Sequence, residues 1–196
     1  TLAFGNQIAG FDPKTKQWEI HALEEGLYPH TLRFDARGRI WFSVAVSNHI
    51  GMLDRKTGKV TAIRLPAASW QQEFALRALP AFFLLARHVD LGEVPAGEGM
   101  DLPVPYGVDV APDGGVWFSQ LNEHRLGRID PETLELTLVP TPFPTPRRMR
   151  FDSKGGLWIP SFSGAKLARL DLETHSFRSW EIPIEPRGSE TPYALH

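Results

Sequence analysis

Five side chains able to act on a ligand follow prolines at matching places in this chain. They are His30 after Pro29, Tyr106 after Pro105, Arg147 and Arg148 after Pro146, and Tyr193 after Pro192. A histidine changes charge near neutral pH, an arginine is a fixed cation with a planar fork of donors, and a tyrosine is an apolar wall with one hydroxyl. Converging at one place, these groups would form a ligand site holding one titratable base. The alternative is an ordinary polar rim. Four more polar residues lie later in the same units: His49, Gln120, Asn122 and His124. Neither His-x-His nor Glu-x-x-His spacing occurs, so no local metal site is indicated and the metal remains unknown at this stage. Four positions beyond each of the first three prolines stand Arg33, Asp109 and Arg150. An ion-pair layer between neighbouring units is favoured here over a charged lining for an anionic ligand.

What must position these residues is a repeat. PHTLRFDARGRIWFSVAVSNHIGMLD from Pro29 is written again from Pro105 and from Pro146, with no gap inside the unit. The tryptophans Trp41, Trp117 and Trp158, the turn glycines Gly38, Gly114 and Gly155, and the aspartates Asp54, Asp130 and Asp171 keep their offsets. Each unit divides into four short strands: in the first copy about 31–35, 40–46, 49–54 and 60–65. Glycine provides the positive φ of the first turn, and Asp with Pro or Thr shapes the third. Four antiparallel strands in about 41 residues mark a blade of a β-propeller. The tryptophans should pack between blades, and the aspartates should cap turns rather than act in catalysis.

The expected fold is therefore all-β, part of a β-propeller ring of four-stranded antiparallel blades. One polypeptide region, 1–196, reads as a half blade (1–24), blades at 28–66, 104–140 and 145–183, and the start of another at 191–196. Three and a half blades do not close such a ring, so flanking sequence or a second polypeptide is expected to complete it. Between the first two blades lies an insertion, 67–102. Its first part, through Gly92, has helix-like spacing, and Pro80 is expected to kink or divide that helix. Its second part, EVPAGEGMDLPVP, reads as an irregular loop. The apolar run is too short to span a bilayer. As a connection from fourth strand to first strand, the insertion should reach the face that carries His30, Tyr106, Arg147 and Tyr193.

Composition narrows the function classes. A net charge of -2 gives no basic footprint for nucleic acid, and the absence of cysteine excludes disulfides and thiolate metal sites. The compartment is open, with a periplasmic or secreted location favoured over the cytoplasm.

The unit P-[HY]-x-[IVL], then [IVL]-W-F-[ST], then N-x-I-G-x-[IL]-D resembles the repeat of the streptogramin lyases, the virginiamycin B lyase family. The resemblance covers nearly all of the chain except the insertion. It implies a seven-bladed propeller, antibiotic resistance by opening the lactone of a cyclic depsipeptide through elimination, and a magnesium ion (Mg2+). It also implies a histidine after an opening Glu-Pro and a glutamate soon after Trp-Phe. His30 occupies the histidine position. Tyr28 stands where the glutamate before proline would be, and Val44, Gln120 and Ser161 follow the tryptophans where an acid would be.

The leading expectation is thus a lyase-like propeller with His30 catalytic and Tyr106, Arg147, Arg148, Gln120, Asn122, His49, His124 and Tyr193 around a small-molecule or cyclic peptide ligand at the channel mouth. A second expectation is a propeller scaffold whose insertion, 69–100, docks a partner protein or a membrane surface. A third is a gluconolactonase-like metal-dependent hydrolase, which needs a Glu/Asn/Asp ligand set that Asn122 and Asp109 alone do not make.

Overall fold

A computed structural model of the chain describes residues 1–86, 102–183 and 191–195. A hairpin of β1 (Gln7–Asp12) and β2 (Gln17–Ala22) comes first. Three four-stranded antiparallel meanders follow. The first blade is β3 (Pro29–Phe34), β4 (Ile40–Val44), β5 (His49–Leu53) and β6 (Val60–Arg64). The second is β7 (Pro105–Val110), β8 (Val116–Gln120), β9 (Arg125–Ile129) and β10 (Leu136–Pro140). The third is β11 (Arg150–Phe151), β12 (Leu157–Ser161), β13 (Lys166–Leu170) and β14 (Phe177–Glu181). The second strand of the first blade stops at Val44 instead of Val46, because Ala45 to Asn48 turn the chain back into β5.

The repeated residues do what each blade requires. Gly38, Gly114 and Gly155 have φ of 80°, 89° and 80°, a region an L side chain occupies only under strain. The Asp54, Asp130 and Asp171 carboxylates accept backbone N–H bonds two or three residues on, closing the third turn. In the second and third strands, the Phe42 and Phe118 rings lie where a Cβ on Gly51 or Gly127 would be, 2.2 and 2.1 Å from it. The glycine is needed for ring-over-backbone contact.

Neighbouring blades join through a shared apolar layer. Trp41, Ile50 and Leu65 of the first blade, Val108, Trp117 and Phe118 of the second, and Met149 and Leu157 of the third form one buried cluster. A buried tryptophan removes about 150–250 Å² from water, worth on the order of 4–6 kcal/mol at most. Ile8 and Leu23 of the hairpin bury against Ile40, Phe42 and Leu53, placing the hairpin beside the first blade. On one rim, Arg37 and Arg39 both reach Glu132 of the second blade, at 2.7 and 3.1 Å.

Between β6 and β7 runs α1 (Trp70–Ala86). Ser69 caps it, its hydroxyl accepting from the Gln72 N–H at 3.2 Å, and Glu73 in the first turn suits the helix dipole. The helix runs on through Pro80 without dividing there. A proline there forfeits one backbone bond, and ten preceding residues already form the helix. Leu76 and Leu79 are buried, while Trp70 and Phe74 face outward. Among the described residues no helix is long and apolar enough to cross a membrane. The remainder of the expected helix to Gly92 and most of the expected loop lie outside the described residues.

Candidate functional site

The site is built from the first strands of the blades. In the first two blades the strand begins at its proline and the pairing register shifts just inside it, between Pro29 and Leu32 and between Pro105 and Val108; in the third, Pro146 makes an isolated bridge to Ser161 and the strand itself starts at Arg150. A serine two residues after the tryptophan fills each irregularity. The Ser43 hydroxyl accepts from the Thr31 N–H at 3.1 Å and donates to the Tyr106 carbonyl of the next blade at 2.8 Å. Ser119 likewise accepts from the Gly107 N–H and donates to the Arg147 carbonyl, both at 2.9 Å. Each serine therefore fixes where the next blade presents its mouth residue. The signal for this role is the third letter of the repeated Trp-Phe-Ser, which sequence reasoning had noted only as part of a pattern.

Five of the nine expected site residues converge. The His30 ring lies 4.4 Å, centroid to centroid, from that of Tyr106 and stacks on Tyr28 at 6.4 Å. The Tyr106 and Tyr193 hydroxyls hydrogen-bond to each other. The Arg147 guanidinium sits over three aromatic rings, 3.7 Å from the Phe162 centroid, 4.8 Å from Tyr193 and 5.2 Å from Tyr106. Arg148 lies over Tyr193 and Tyr106 at 5.3 and 5.8 Å. Tyr28 and Phe162 are contributors that no residue pattern singled out as part of the mouth. Among the described residues neither guanidinium has a carboxylate partner, and the Nε atoms of both are buried without a hydrogen bond.

Surroundings set the charge states. Burial, then the Arg148 and Arg147 cations, hold His30 below the usual imidazole value, with only a partial opposing contribution from a backbone contact at Tyr106. His30 is therefore neutral at pH 7, with Nδ1 3.0 Å from the Thr31 hydroxyl. Burial, followed by the bond to Tyr193, pushes the Tyr106 phenol up to about 12 against the two arginines, so it stays a donor.

Below the mouth, Asp109 receives both flanking arginines. Arg33 Nε and an Arg150 terminal nitrogen lie 3.4 and 3.3 Å from Oδ1, and the Phe151 N–H donates to Oδ2 at 2.9 Å. A cleft of about 500 Å³ runs along this wall, lined by His30, Thr31, Arg33, Arg148, Arg150 and Leu195 among others.

The other four expected residues go elsewhere. Gln120 is wholly buried, its amide donating to Asn48 Oδ1 at 2.8 Å and accepting from Arg125 at 2.6 Å. Asn122 donates to the Leu102 carbonyl at 2.7 Å. His124 occupies a left-handed turn position, φ 46°, and its Nδ1 accepts from the Thr145 N–H at 3.1 Å. His49 is the first residue of β5 rather than a turn residue. Its Nδ1 is 3.2 Å from the Ser47 hydroxyl, and burial with nearby Arg64 lowers its pKa.

The described residues do not fit magnesium. No group of three His, Cys, Asp or Glu among them could hold a metal ion. Asp109, the acid paired with Arg33 and Arg150 of the cleft, already holds a backbone N–H as well, and hard cations require free oxygen ligands.

Four-stranded meanders laid side by side, with their first strands converging on a polar mouth, define a β-propeller with one helical insertion. Solved structures agree. The chain is similar to virginiamycin B lyase from Staphylococcus aureus, at 21% identity and TM-score 0.72, over 99% of this chain and 54% of that one. A catalytically inactive variant of that lyase with quinupristin matches at 20% identity and TM-score 0.70, over 92% of this chain and 50% of that one. The chain thus spans about half the length of these lyases. Hydrazine synthase from Kuenenia stuttgartiensis shares the fold at 13% identity and TM-score 0.64, over 90% of this chain and 44% of that one. No family model and no curated protein matches the chain. Likeness at this level shows the fold, and a propeller carries many chemistries.

Proposed function

We propose that the mouth binds a small cyclic peptide or related lactone and that His30 acts on it as a base in a lyase-like elimination. The observation that supports this most is a neutral, half-buried His30 fixed against Tyr106 beside two guanidinium groups that have no carboxylate partner among the described residues. In such a step the imidazole takes the proton on the carbon beside a carbonyl. The electron pair of that C–H bond forms a carbon–carbon double bond. The β-carbon–oxygen bond breaks, and its pair leaves on the ester oxygen as a carboxylate. Negative charge builds first at the carbonyl oxygen and then on the leaving group, where Arg148, Arg147 and the Tyr106 hydroxyl offer donors. Among the described residues no acid pairs with His30, so orientation rests on the Tyr106 and Tyr28 rings. A fold shared with virginiamycin B lyase supports the same direction.

The test is mass spectrometry of a cyclic depsipeptide lactone after incubation with the protein. Elimination leaves the mass unchanged but opens the ring, whereas hydrolysis adds a water. His30→Ala should lower turnover by at least about 100-fold, the usual contribution of a positioned base. Unchanged turnover in the folded variant would remove His30 from the mechanism.

A second reading draws on α1, whose Trp70 and Phe74 are 75% and 71% exposed. An apolar pair one helical turn apart suits a partner protein or a membrane surface. Deleting residues 69–100 separates the two readings. Loss of association with the propeller intact supports docking, and loss of lactone turnover alone assigns the insertion to the ligand site.

A further inference from the structure

We propose that the cleft below the mouth is an oxyanion site, taking a ligand that carries a carboxylate or phosphate group. The inference concerns binding and does not depend on turnover. Three guanidinium groups, Arg33, Arg148 and Arg150, line this cleft, and among the described residues the one carboxylate paired with any of them is Asp109. Asp109 is divided between Arg33 and Arg150 and also holds the Phe151 N–H, so it leaves a large excess of positive charge. The Nε atoms of Arg147 and Arg148 are buried with no hydrogen-bond partner among the described residues, and Arg33 Nε has only its long 3.4 Å contact with Asp109. Such donors are costly to leave unmatched and form their strongest bonds with anionic oxygens.

The geometry separates this arrangement from a chance crowding of arginines. Aromatic rings surround both groups: Arg147 lies 3.7 Å from the Phe162 centroid and 4.8 Å from that of Tyr193, and Arg148 lies 5.3 Å from Tyr193, so cation–π contacts help hold them in place. Ser119 fixes the backbone at Arg147, and a parallel bridge between Arg148 and Ala194 fixes it one residue on. Arg148 and Arg150 lie two residues apart on the same segment and line one cleft with Arg33 of the first blade. Its volume of about 500 Å³ admits a small organic anion. His30 closes the upper end of the cleft, with Tyr106 and Tyr28 against its ring, Thr31 at its Nδ1, and Arg147 and Arg148 the charged groups facing it.

An anion bound there would offset the arginines that now disfavour imidazolium. Binding and protonation of His30 must then favour each other reciprocally.

The experiment is titration of the protein with inorganic phosphate and, separately, with acetate, chloride being adjusted to keep ionic strength constant. The His30 ring signal is followed by NMR across pH 5–8 and assigned with His30→Ala. Saturable binding that raises the His30 midpoint is expected. A response to phosphate alone indicates a phosphate-bearing ligand, and one to acetate a carboxylate; either supports the site. Arg148→Gln should weaken binding at least about tenfold, the scale of a lost charged hydrogen bond. Arg148→Lys, which keeps the charge without the fork, should fall between, and serves if the glutamine variant does not fold. Exposed Arg178→Gln should change nothing. A linear, non-saturating response, or equal binding by the Arg148 and Arg178 variants, overturns the proposal. Lactone turnover without anion binding sinks this inference alone, and anion binding without turnover sinks only the lyase reading.

Discussion

Replacing Ala111 with aspartate should stabilise the protein. Six residues before the tryptophan, the first and third blades carry Asp35 and Asp152, and both carboxylates accept from the indole N–H, at 3.0 and 2.8 Å. The second blade has Ala111 there, and Trp117 Nε1 is buried without a partner. The turn itself is the same: residues 35, 111 and 152 each donate their N–H to the carbonyl four residues on, at 3.0, 2.8 and 2.9 Å. The donors that Asp152 uses, namely the N–H groups of Lys154 and Gly156, the Trp158 indole and Arg169, have counterparts in Asp113, Gly115, Trp117 and Arg128. Satisfying an orphaned indole with a charged acceptor recovers about 1.5–3 kcal/mol. Asp113 would lose its exposed pair with Arg128, about 0.5–1 kcal/mol. The net gain is about 1–2 kcal/mol, or roughly 2–8 °C in Tm for a chain this size. Thermal unfolding followed by circular dichroism measures it. The new carboxyl should behave as Asp152 does, whose bonds to the Trp158 indole and the Gly156 N–H hold it well below the usual carboxylate range. A folded-state pKa below the unfolded one gives stability that is present above about pH 4 and is lost as pH falls through the folded value. An equal or lower Tm at pH 7 in a folded variant would refute the equivalence of the three turns. So would a gain that persists unchanged in acid.

Gly127→Ala places a Cβ 2.1 Å from the wholly buried Phe118 ring, closer than two carbons can stand, so the ring must shift within the core. A loss of about 1–3 kcal/mol is expected by denaturant titration, and a loss below about 0.5 kcal/mol would show that the blades slide apart at little cost. Asp109→Ala orphans the Phe151 N–H and leaves Arg33 and Arg150 facing each other, for a cost of about 2–3 kcal/mol after allowing for the partial exposure of both arginines. Asp109→Asn keeps the acceptor and should lose less; equal losses in the two variants would assign the effect to charge alone.

What each blade needs for its own sake could be read from the sequence. The register of Trp41, Trp117 and Trp158, the positive φ at Gly38, Gly114 and Gly155, and the turn-closing Asp54, Asp130 and Asp171 follow from local geometry repeated three times. The arrangement of Arg33, Asp109 and Arg150 was legible as well, since equal offsets in adjacent blades become neighbours in space. Gln120 was not. Its amide is taken by Asn48 of the preceding blade, and a register lookup shows that the two blades adjoin without showing which side chain turns inward. His124 misled for a similar reason. A turn histidine reads as solvated or ligand-facing, but its acceptor nitrogen is used by a backbone N–H 21 residues away. Pro80 does not divide α1, because one forfeited backbone bond is a small cost in a helix that buries Leu76 and Leu79.

The serine device gives the mouth an unequal rigidity. Ser43 anchors Tyr106, and Ser119 anchors Arg147, each through a hydroxyl donated to the backbone of the mouth residue itself. In the third blade the corresponding residue is Pro160, whose side chain can neither donate nor accept. Tyr193, next around the mouth, therefore lacks that anchor. It is held by the Tyr106 hydroxyl, by the rings and cations of Arg147, Arg148 and Phe162, and by the bridge at Ala194. Those are the same groups that a ligand would engage. An anion that draws Arg148 toward itself would weaken the hold on Tyr193, which is already 43% exposed. Tyr106 and Arg147 should thus keep their places on binding while Tyr193 adjusts. The serine-anchored side of the mouth is thus the more firmly fixed, and the Tyr193 side the less.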